Sequence, residues 1–529
     1  MDNLHLEMAG SRYLIVTAFV SGAIVMVVEL IGSRIIGPPF GVSLFVWTSL
    51  ITVTLVSLAV GYWLGGRLAD AVTSPAALYA IVLAAGVTLL FIPLVKNFVI
   101  DHSIPLGLRA GSLVSSTVLF APTLLLLGMV TPYIVKLYMS SDLGRVGKTV
   151  GWLYAVSTCG SFIGTVATGF VLIPSLGVNS IIYCSSISLI ALTAGYRLVF
   201  YRRAYVAALA AVPLALLLVP ADLPSVTRPD GTVVSLVMND QSRYGQIKVV
   251  DYSYGDLRFR EFLMDNIVQG AIDVNTGLPI TEYTYNITRL ARAYNAGASR
   301  ALVIGLGAGI VPEVLTKRYG METDVVEIDP EVAETAARYF NYDPESTATH
   351  IMDGRYFLKT TTSKFDVIVL DAFSGDITPS HLISEEAFEL IASRLNGGGV
   401  LIINFLGGNS EEDMVVPGSL SRTLKKAFTT VDVYVPKTFY GPERTVVNYL
   451  FVAYNGDRRQ PVLSDPSPEP VHPYVAGQVA TLFDRRISID DGPLLFTDNY
   501  NPVDFYDMKL RERIRSSVIM TTDRKILLD

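Results

Sequence analysis

The chain has 529 residues, 51% of them hydrophobic and 17% charged, and a mean hydropathy of +0.44. That length exceeds one ordinary domain, and that composition excludes a disordered chain and places part of the protein in lipid. The net charge of −7 is unevenly divided, because residues 1–220 hold 11 Lys/Arg against 6 Asp/Glu (net +5) and the remainder hold 30 against 42 (net −12). An acidic second half argues against nucleic acid as a partner and suits a cationic substrate or plain solubility. Cys159 and Cys184 both fall in apolar stretches, so neither a disulfide framework nor a cysteine zinc site can be built.

A bilayer span needs about 20 mostly apolar residues. The first 220 residues supply seven such runs, near 12–33, 43–65, 76–99, 109–137, 149–174, 177–199 and 204–220. The first begins too late and runs too long for a removable signal peptide, so a multi-pass domain over 1–220 is expected. Gly151, Gly160, Gly164 and Gly169 punctuate the fifth run, a pattern that predicts close helix packing. With the N-terminus inside, Arg12, Arg67, Lys136, Arg145, Lys148, Arg197, Arg202 and Arg203 lie on the cytoplasmic side, and Arg34, Lys96 and Arg109 lie outside. Seven crossings would then put the second half outside. If 204–220, interrupted by Pro213, lies in the interface, the second half returns to the cytoplasm, so its face stays open.

After ADLPSVTRPDG the long apolar runs give way to short strand-like segments, which marks the domain boundary. SRYGQIKVVDY and LRFREFLMDN predict a small antiparallel sheet within 221–275, and TEYTYNITRLARAYN predicts a helix. From Arg300 strands and helices alternate, predicting a doubly wound parallel sheet of Rossmann-like, class I methyltransferase-like type over 276–529. Its first strand runs into Gly305-Leu306-Gly307-Ala308-Gly309, a tight turn where a ligand can lie against a helix start. Glu327 ends the second strand, where a carboxylate can accept from both ribose hydroxyls of a nucleoside. Val311-Pro312 stand where a dinucleotide fingerprint wants its third glycine, which favours a nucleoside with a sulfonium tail over a pyrophosphate. Asp353, followed by Gly354, can accept from an adenine amine. Asp371 ends the run Val367-Ile368-Val369-Leu370 at the carboxyl edge of the sheet, and with Asp376 five residues on it can hold an ammonium group and take its proton.

Taken in order, these residues resemble the spermidine synthase-like polyamine aminopropyltransferases, in the form fused to a multi-pass membrane domain. SGAIVMVVELIGSRIIGPPFG and VTLVSLAVGYWLGGRLAD resemble the membrane part of such fusions, as does LYAVSTCGSFIGTVATGFVLIPSLG. SRYGQI and LMDNIVQ resemble the family's hairpin sheet, and residues 281–286 its gate segment. GLGAG, VVEIDPEV, DGRYFL and VLDAFSGDITPSHLISEEAFEL follow in the family's order. The resemblance implies transfer of a 3-aminopropyl group from decarboxylated S-adenosylmethionine, a co-substrate, to an amine such as putrescine, with release of methylthioadenosine and no metal. It implies Asp371 as base, Tyr285, Gln269 and Asp376 at the acceptor, and Gly305, Gly307, Gly309, Glu327, Asp353, Gly354 and Gln246 around the donor. It also implies a cell-membrane, multi-pass protein whose partners are the bilayer and small molecules; homo-oligomerisation stays open.

Two departures bear on substrate more than fold. The aspartate that typical synthases carry in the glycine turn is Ala308 here, and their Asp-Ser-Ser-Asp-Pro loop is replaced by DAFSGD. The alternatives are an S-adenosylmethionine-dependent methyltransferase, and a transporter or sensor with a non-catalytic nucleoside-binding domain. Sparse charge within the spans, with Glu29 and Arg34 near a span end, counts against an ion-coupled transporter. Asp498-Asn499-Tyr500-Asn501-Pro502 resembles the fused family's C-terminal segment but carries no chemical role in this reading.

Overall fold

The structure, a computed structural model, describes residues 2–41, 44–139, 146–201, 211–217, 223–373, 378–436, 439–440, 446–461 and 469–528. Two compact units emerge, Met1–Asp222 with Leu528–Asp529, and Leu223–Leu527.

In the first unit, apolar stretches long enough to cross a bilayer cover Gly10–Phe40, Phe45–Ala71, Pro75–Met139, Gly147–Ser175 and Val178–Tyr201. They contain helices α1 (Asp2–Phe40), α2 (Leu44–Ala71), α3 (Pro75–Ser103), α4 (Gly107–Met139), α5 (Val146–Ala167) and α6 (Val178–Tyr201). The third stretch is two helices because a short 3-10 turn, Ile104–Leu106, ends at Gly107, whose φ of 80° turns the chain back so that α3 and α4 pack together. The first six apolar runs of the sequence fall on these helices. Of the seventh, only α7 (Ala211–Leu217) is described, and its other residues lie outside the described ones.

Helix α1 packs on α5 through glycine. A methyl group at Gly160 would strike the carbonyl of Phe19, and one at Gly164 would strike Ala23. The contact is reciprocal, with Gly22 against Ser157 and the Ser161 hydroxyl donating to the Gly22 carbonyl at 3.0 Å. Such backbone proximity adds dispersion contacts that lipid cannot match. Gly151 on α5 and Gly169 in the π-helical turn Thr168–Leu172 that follows it, expected in the same role, face open space, off the stripe that meets α1. An equivalent seam between α2 and α4 uses Gly61 and Gly65.

The second unit opens with five antiparallel strands in sequential order, β1 (Ser225–Thr227), β2 (Val233–Gln241), β3 (Gln246–Tyr254), β4 (Leu257–Met264) and β5 (Ile267–Asp273). Asp265 and Asn266 join β4 to β5 with φ of 47° and 64°, the left-handed pair that matches strand twist in a two-residue hairpin. After α8 (Glu282–Tyr294) come β6 (Arg300–Ile304), α9 (Ile310–Lys317), β7 (Glu322–Glu327), α10 (Pro330–Tyr339), β8 (Ala348–Ile351), α11 (Gly354–Thr360), β9 (Phe365–Leu370), α12 (Glu385–Ser393), β10 (Leu395–Gly408) and α13 (Val415–Ala427). The remaining strands are β11 (Thr430–Tyr434), β12 (Phe439–Tyr440), β13 (Val446–Tyr454) and β14 (Arg486–Ile487), and the last helices are α14 (Pro473–Val479), α15 (Val503–Tyr506), α16 (Met508–Thr521) and α17 (Arg524–Leu528).

The second sheet is ordered β14-β11-β13-β10-β9-β6-β7-β8, with β12 pairing β13. β8, β7, β6, β9 and β10 run parallel as expected, but β13 is antiparallel to both β10 and β11, so the sheet is mixed. The chain between β11 and β13 is too short for a crossover helix, which forces the antiparallel return. Central strands are apolar on both faces because helices cover both. Ile368, Leu370, Leu401 and Ile403 meet Phe388 and Leu420 on one side, while Val367, Val369, Val400 and Ile402 meet Ile287, Leu290 and Leu315 on the other. Strand order reverses between β6 and β9, whose carboxyl ends carry Gly305 and Asp371; the Asp371 amide donates to the Ile304 carbonyl at 2.9 Å. Open α/β sheets place ligands at such a switch point.

Candidate active site

A cavity of about 310 Å³ opens there, bordered by Gly305, Leu306, Gly307, Glu327, Asp329, Asp353, Gly354 and Asp371 from the large sheet, and by Tyr244, Phe262, Met264 and Gln269 from the small one. Gly305 is required twice over. Its φ is 96°, and a Cβ there would fall on the carbonyl of Asp371. Gly307 (φ 52°) passes the Gln269 carbonyl, and Gly309 (φ 75°) begins α9 against the Tyr342 ring. Gly354 leaves room for Ile304.

Four carboxyl groups line the cavity. Glu327 accepts from the Leu306 amide at 2.9 Å and the Asp329 amide at 3.0 Å, which fixes its plane; burial pushes its carboxyl upward against these two bonds. Asp329 caps α10 by accepting from the Glu331 amide at 3.2 Å, and burial with Glu331 alongside pushes it up to about 8. Asp353 caps α11, accepting from the Tyr356 amide at 2.8 Å, while its other oxygen meets Nε2 of His381 at 2.8 Å. Asp371 accepts from the Asn404 side-chain amide at 2.8 Å, and Asn404 in turn accepts from Asn448 at 2.8 Å. Burial raises the Asp371 carboxyl to about 6, with the Asn404 bond opposing it. A base near that value is charged at neutral pH yet basic enough to take a proton from an amine.

Gly305, Gly307, Glu327, Asp353, Gly354, Asp371 and Gln269 therefore meet at one cavity. Gly309 shapes the turn from behind. Gln246 is not among the lining residues; it is buried within the small sheet, where its side chain donates to Asn239 at 2.9 Å. Tyr285 also lies off the cavity. Its ring is fully buried beside Val475 and Val479, and its hydroxyl donates to the Pro279 carbonyl at 3.0 Å and accepts from the His472 amide at 3.1 Å. The apolar stripe of α8 turns it inward. Asp376 lies outside the described residues. Ala308 faces the core, where its methyl sits against Gly270 and leaves no space for a longer side chain in that direction.

Sequence reasoning missed Asn404, Asn448 and His381. The only signal for the first two is a polar residue inside a fully apolar strand, LIINFL and VVNYLF, where an unpaired amide would be costly.

Residues 281–451 match the family described as Spermine/spermidine synthase domain. A polyamine aminopropyltransferase of Vibrio vulnificus is 40% identical over 116 residues, 21% of this chain and 39% of that protein. An N-terminal histidine N-methyltransferase of Emericella nidulans is 27% identical over 489 residues, 82% of this chain and 81% of that protein. Among solved structures, the spermidine synthase of Thermotoga maritima aligns at 16% identity and a TM-score of 0.36, covering 50% of this chain and 98% of that one. The match to that domain lies within the second unit, and the chain spans 39% of the length of the Vibrio relative.

Proposed function

We propose that the second unit transfers a 3-aminopropyl group from decarboxylated S-adenosylmethionine to a polyamine acceptor such as putrescine, releasing methylthioadenosine. The observation that carries this reading is the acidic lining of the cavity: Glu327, Asp353 and Asp371 border it together with Asp329, which burial keeps largely protonated at neutral pH, and no Lys or Arg does so among the described residues. A decarboxylated donor is a dication with sulfonium and ammonium groups. S-adenosylmethionine adds a carboxylate, which this lining disfavours. Glu327 would hold the ribose and Asp353 the adenine amine. Gln269 and Asp376 would seat the acceptor, and Tyr285 would support the gate segment from within instead of touching substrate. In the transfer, Asp371 accepts a proton from the acceptor ammonium, and the freed lone pair attacks the propyl carbon. The carbon–sulfur bond breaks with its electron pair left on sulfur, giving a neutral thioether. Asn404 and Asn448 keep the carboxylate aimed, which is the positioning such a reaction needs.

A second reading, methyl transfer from S-adenosylmethionine to an amine nitrogen, draws on Ala308, whose core-facing methyl supplies no carboxylate for an aminopropyl cation, and on the Emericella relative. Calorimetric titration separates the two. Decarboxylated S-adenosylmethionine should bind at least about tenfold more tightly than S-adenosylmethionine, and the reverse order would favour methyl transfer.

The first unit is read as the membrane domain. Six crossings by α1 to α6, with the N-terminus inside, put Arg67, Lys136, Lys148 and Arg197 on the inner face, and with 204–220 lying in the interface the chain after it continues on that side. The Lys136–Asp70 ion pair (2.7 Å) joins the inner ends of α4 and α2 in this arrangement. Labelling of cysteines introduced into the second unit of intact cells tests it: protection from an impermeant reagent is expected, and labelling contradicts it.

A further inference from the structure

The segment around Asp498 is tied by charge to Arg355, beside Asp353 and Gly354 of the cavity lining. Arg355, two residues past Asp353, donates through both terminal nitrogens to Asp498, at 2.5 and 2.6 Å. The same carboxylate accepts from the buried Ser384 hydroxyl at 2.7 Å, and its backbone amide donates to Glu386 at 2.9 Å. Arg355 also donates to the His381 carbonyl at 2.9 Å, and Asn501 donates to the Ser380 carbonyl at 2.9 Å. The Glu385 amide completes the join at the Phe496 carbonyl, 2.8 Å away. These bonds land on residues 380–386 or on Arg355, the first residue after Gly354, while the Phe496 amide donates separately to the Thr423 hydroxyl at 3.1 Å. Pro379, His381 and Leu382 of that turn line the cavity, and His381 meets Asp353.

We propose that Asp498 is a positioning residue of the nucleoside site: through Arg355 and the turn 380–384 it fixes His381 against Asp353 and so holds the adenine end of the cavity in its binding shape. A bidentate arginine–carboxylate pair sets both distance and plane, which a surface ion pair of one bond does not. The pairing pulls the Asp498 carboxyl below the usual carboxylate range, so the clasp is charged throughout the neutral range. The inference rests on reading the cavity as a nucleoside site.

The test titrates methylthioadenosine into the full-length protein in detergent, for the wild type and for Asp498→Asn, Asp498→Glu and Asn501→Ala. Asp498→Asn should raise Kd about tenfold and raise the donor KM in parallel, with kcat at saturating donor changed by less than about twofold. Asp498→Glu should keep Kd within about threefold of wild type, and Asn501→Ala, which removes one bond to the turn, should raise it about threefold. A purely structural role would lower the melting temperature and leave Kd and donor KM unmoved in the folded fraction, which overturns the proposal. Should Asp498→Asn not fold, Asn501→Ala decides: an unchanged Kd overturns the positioning role. Wild-type protein that does not bind methylthioadenosine overturns the nucleoside reading itself, whereas equal binding by wild type and variants overturns only the role of Asp498.

Discussion

Asn404 on β10 donates its side-chain amide to the Asp371 carboxylate at 2.8 Å, and Asn448 on β13 secures Asn404 in turn. Two strands thus aim a carboxyl group that belongs to the end of a third, at the point where the strand order reverses.

That relationship has a pH signature. The Asp371 carboxyl lies near 6, raised by burial and restrained by the Asn404 bond. As the proposed base it works when deprotonated, so kcat/KM should fall as pH drops through about 6. Asn404→Leu removes the restraining bond, and the acid limb should move toward higher pH. A limb that moves toward lower pH in a pH–rate profile would contradict the arrangement.

Roles within the cavity should separate by substitution. Asp371→Asn should leave methylthioadenosine binding nearly intact and abolish transfer, because the residue is proposed to act on the acceptor proton. Glu327→Ala should weaken nucleoside binding by about tenfold or more, since a buried charge-assisted bond contributes about 1.5–3 kcal/mol. Equal losses of binding in both variants, read by calorimetry, would refute this division.

Away from the cavity, burial drives the Glu469 carboxyl up to about 7, although it accepts from Thr288 at 2.9 Å and Tyr319 at 3.1 Å. The folded state then keeps a proton that the unfolded chain releases near 4.3. Stability from this group is present at low pH and declines as pH rises from there through about 7. Glu469→Gln should melt several degrees above wild type at pH 8 and nearly level with it at pH 5. A gain of equal size at both pH values would show that the carboxyl does not titrate in this window.

In the first unit, Gly160→Leu should part α1 from α5, because the new side chain meets the Phe19 backbone. Gly151→Leu, in open space, should be tolerated. Thermal stability in detergent checks the pair, and equal effects of the two substitutions would contradict the seam.

Much of this architecture is legible in sequence because its causes are local. Apolar runs of membrane length fall on α1 to α6, the glycine turn announces itself by composition, and Glu327 and Asp371 sit at the ends of strands whose apolar runs define them. Other features depend on who meets whom across the sheet. Gly160 and Gly169 look alike until helix orientation places one on the seam and the other off it. Tyr285 belongs to a gate-like segment in sequence, yet the register of α8 turns its ring into the core. Asn404 pairs with a residue 33 positions earlier and with one 44 later, and no periodicity encodes either partner.

The reaction itself leaves a distinct nucleoside product. Purified full-length protein incubated with decarboxylated S-adenosylmethionine or S-adenosylmethionine, and a panel of diamines, can be read by mass spectrometry for the nucleoside released. Methylthioadenosine formed only when both the decarboxylated donor and an amine are present is the predicted result. S-adenosylhomocysteine, or no nucleoside product under any combination, would contradict it.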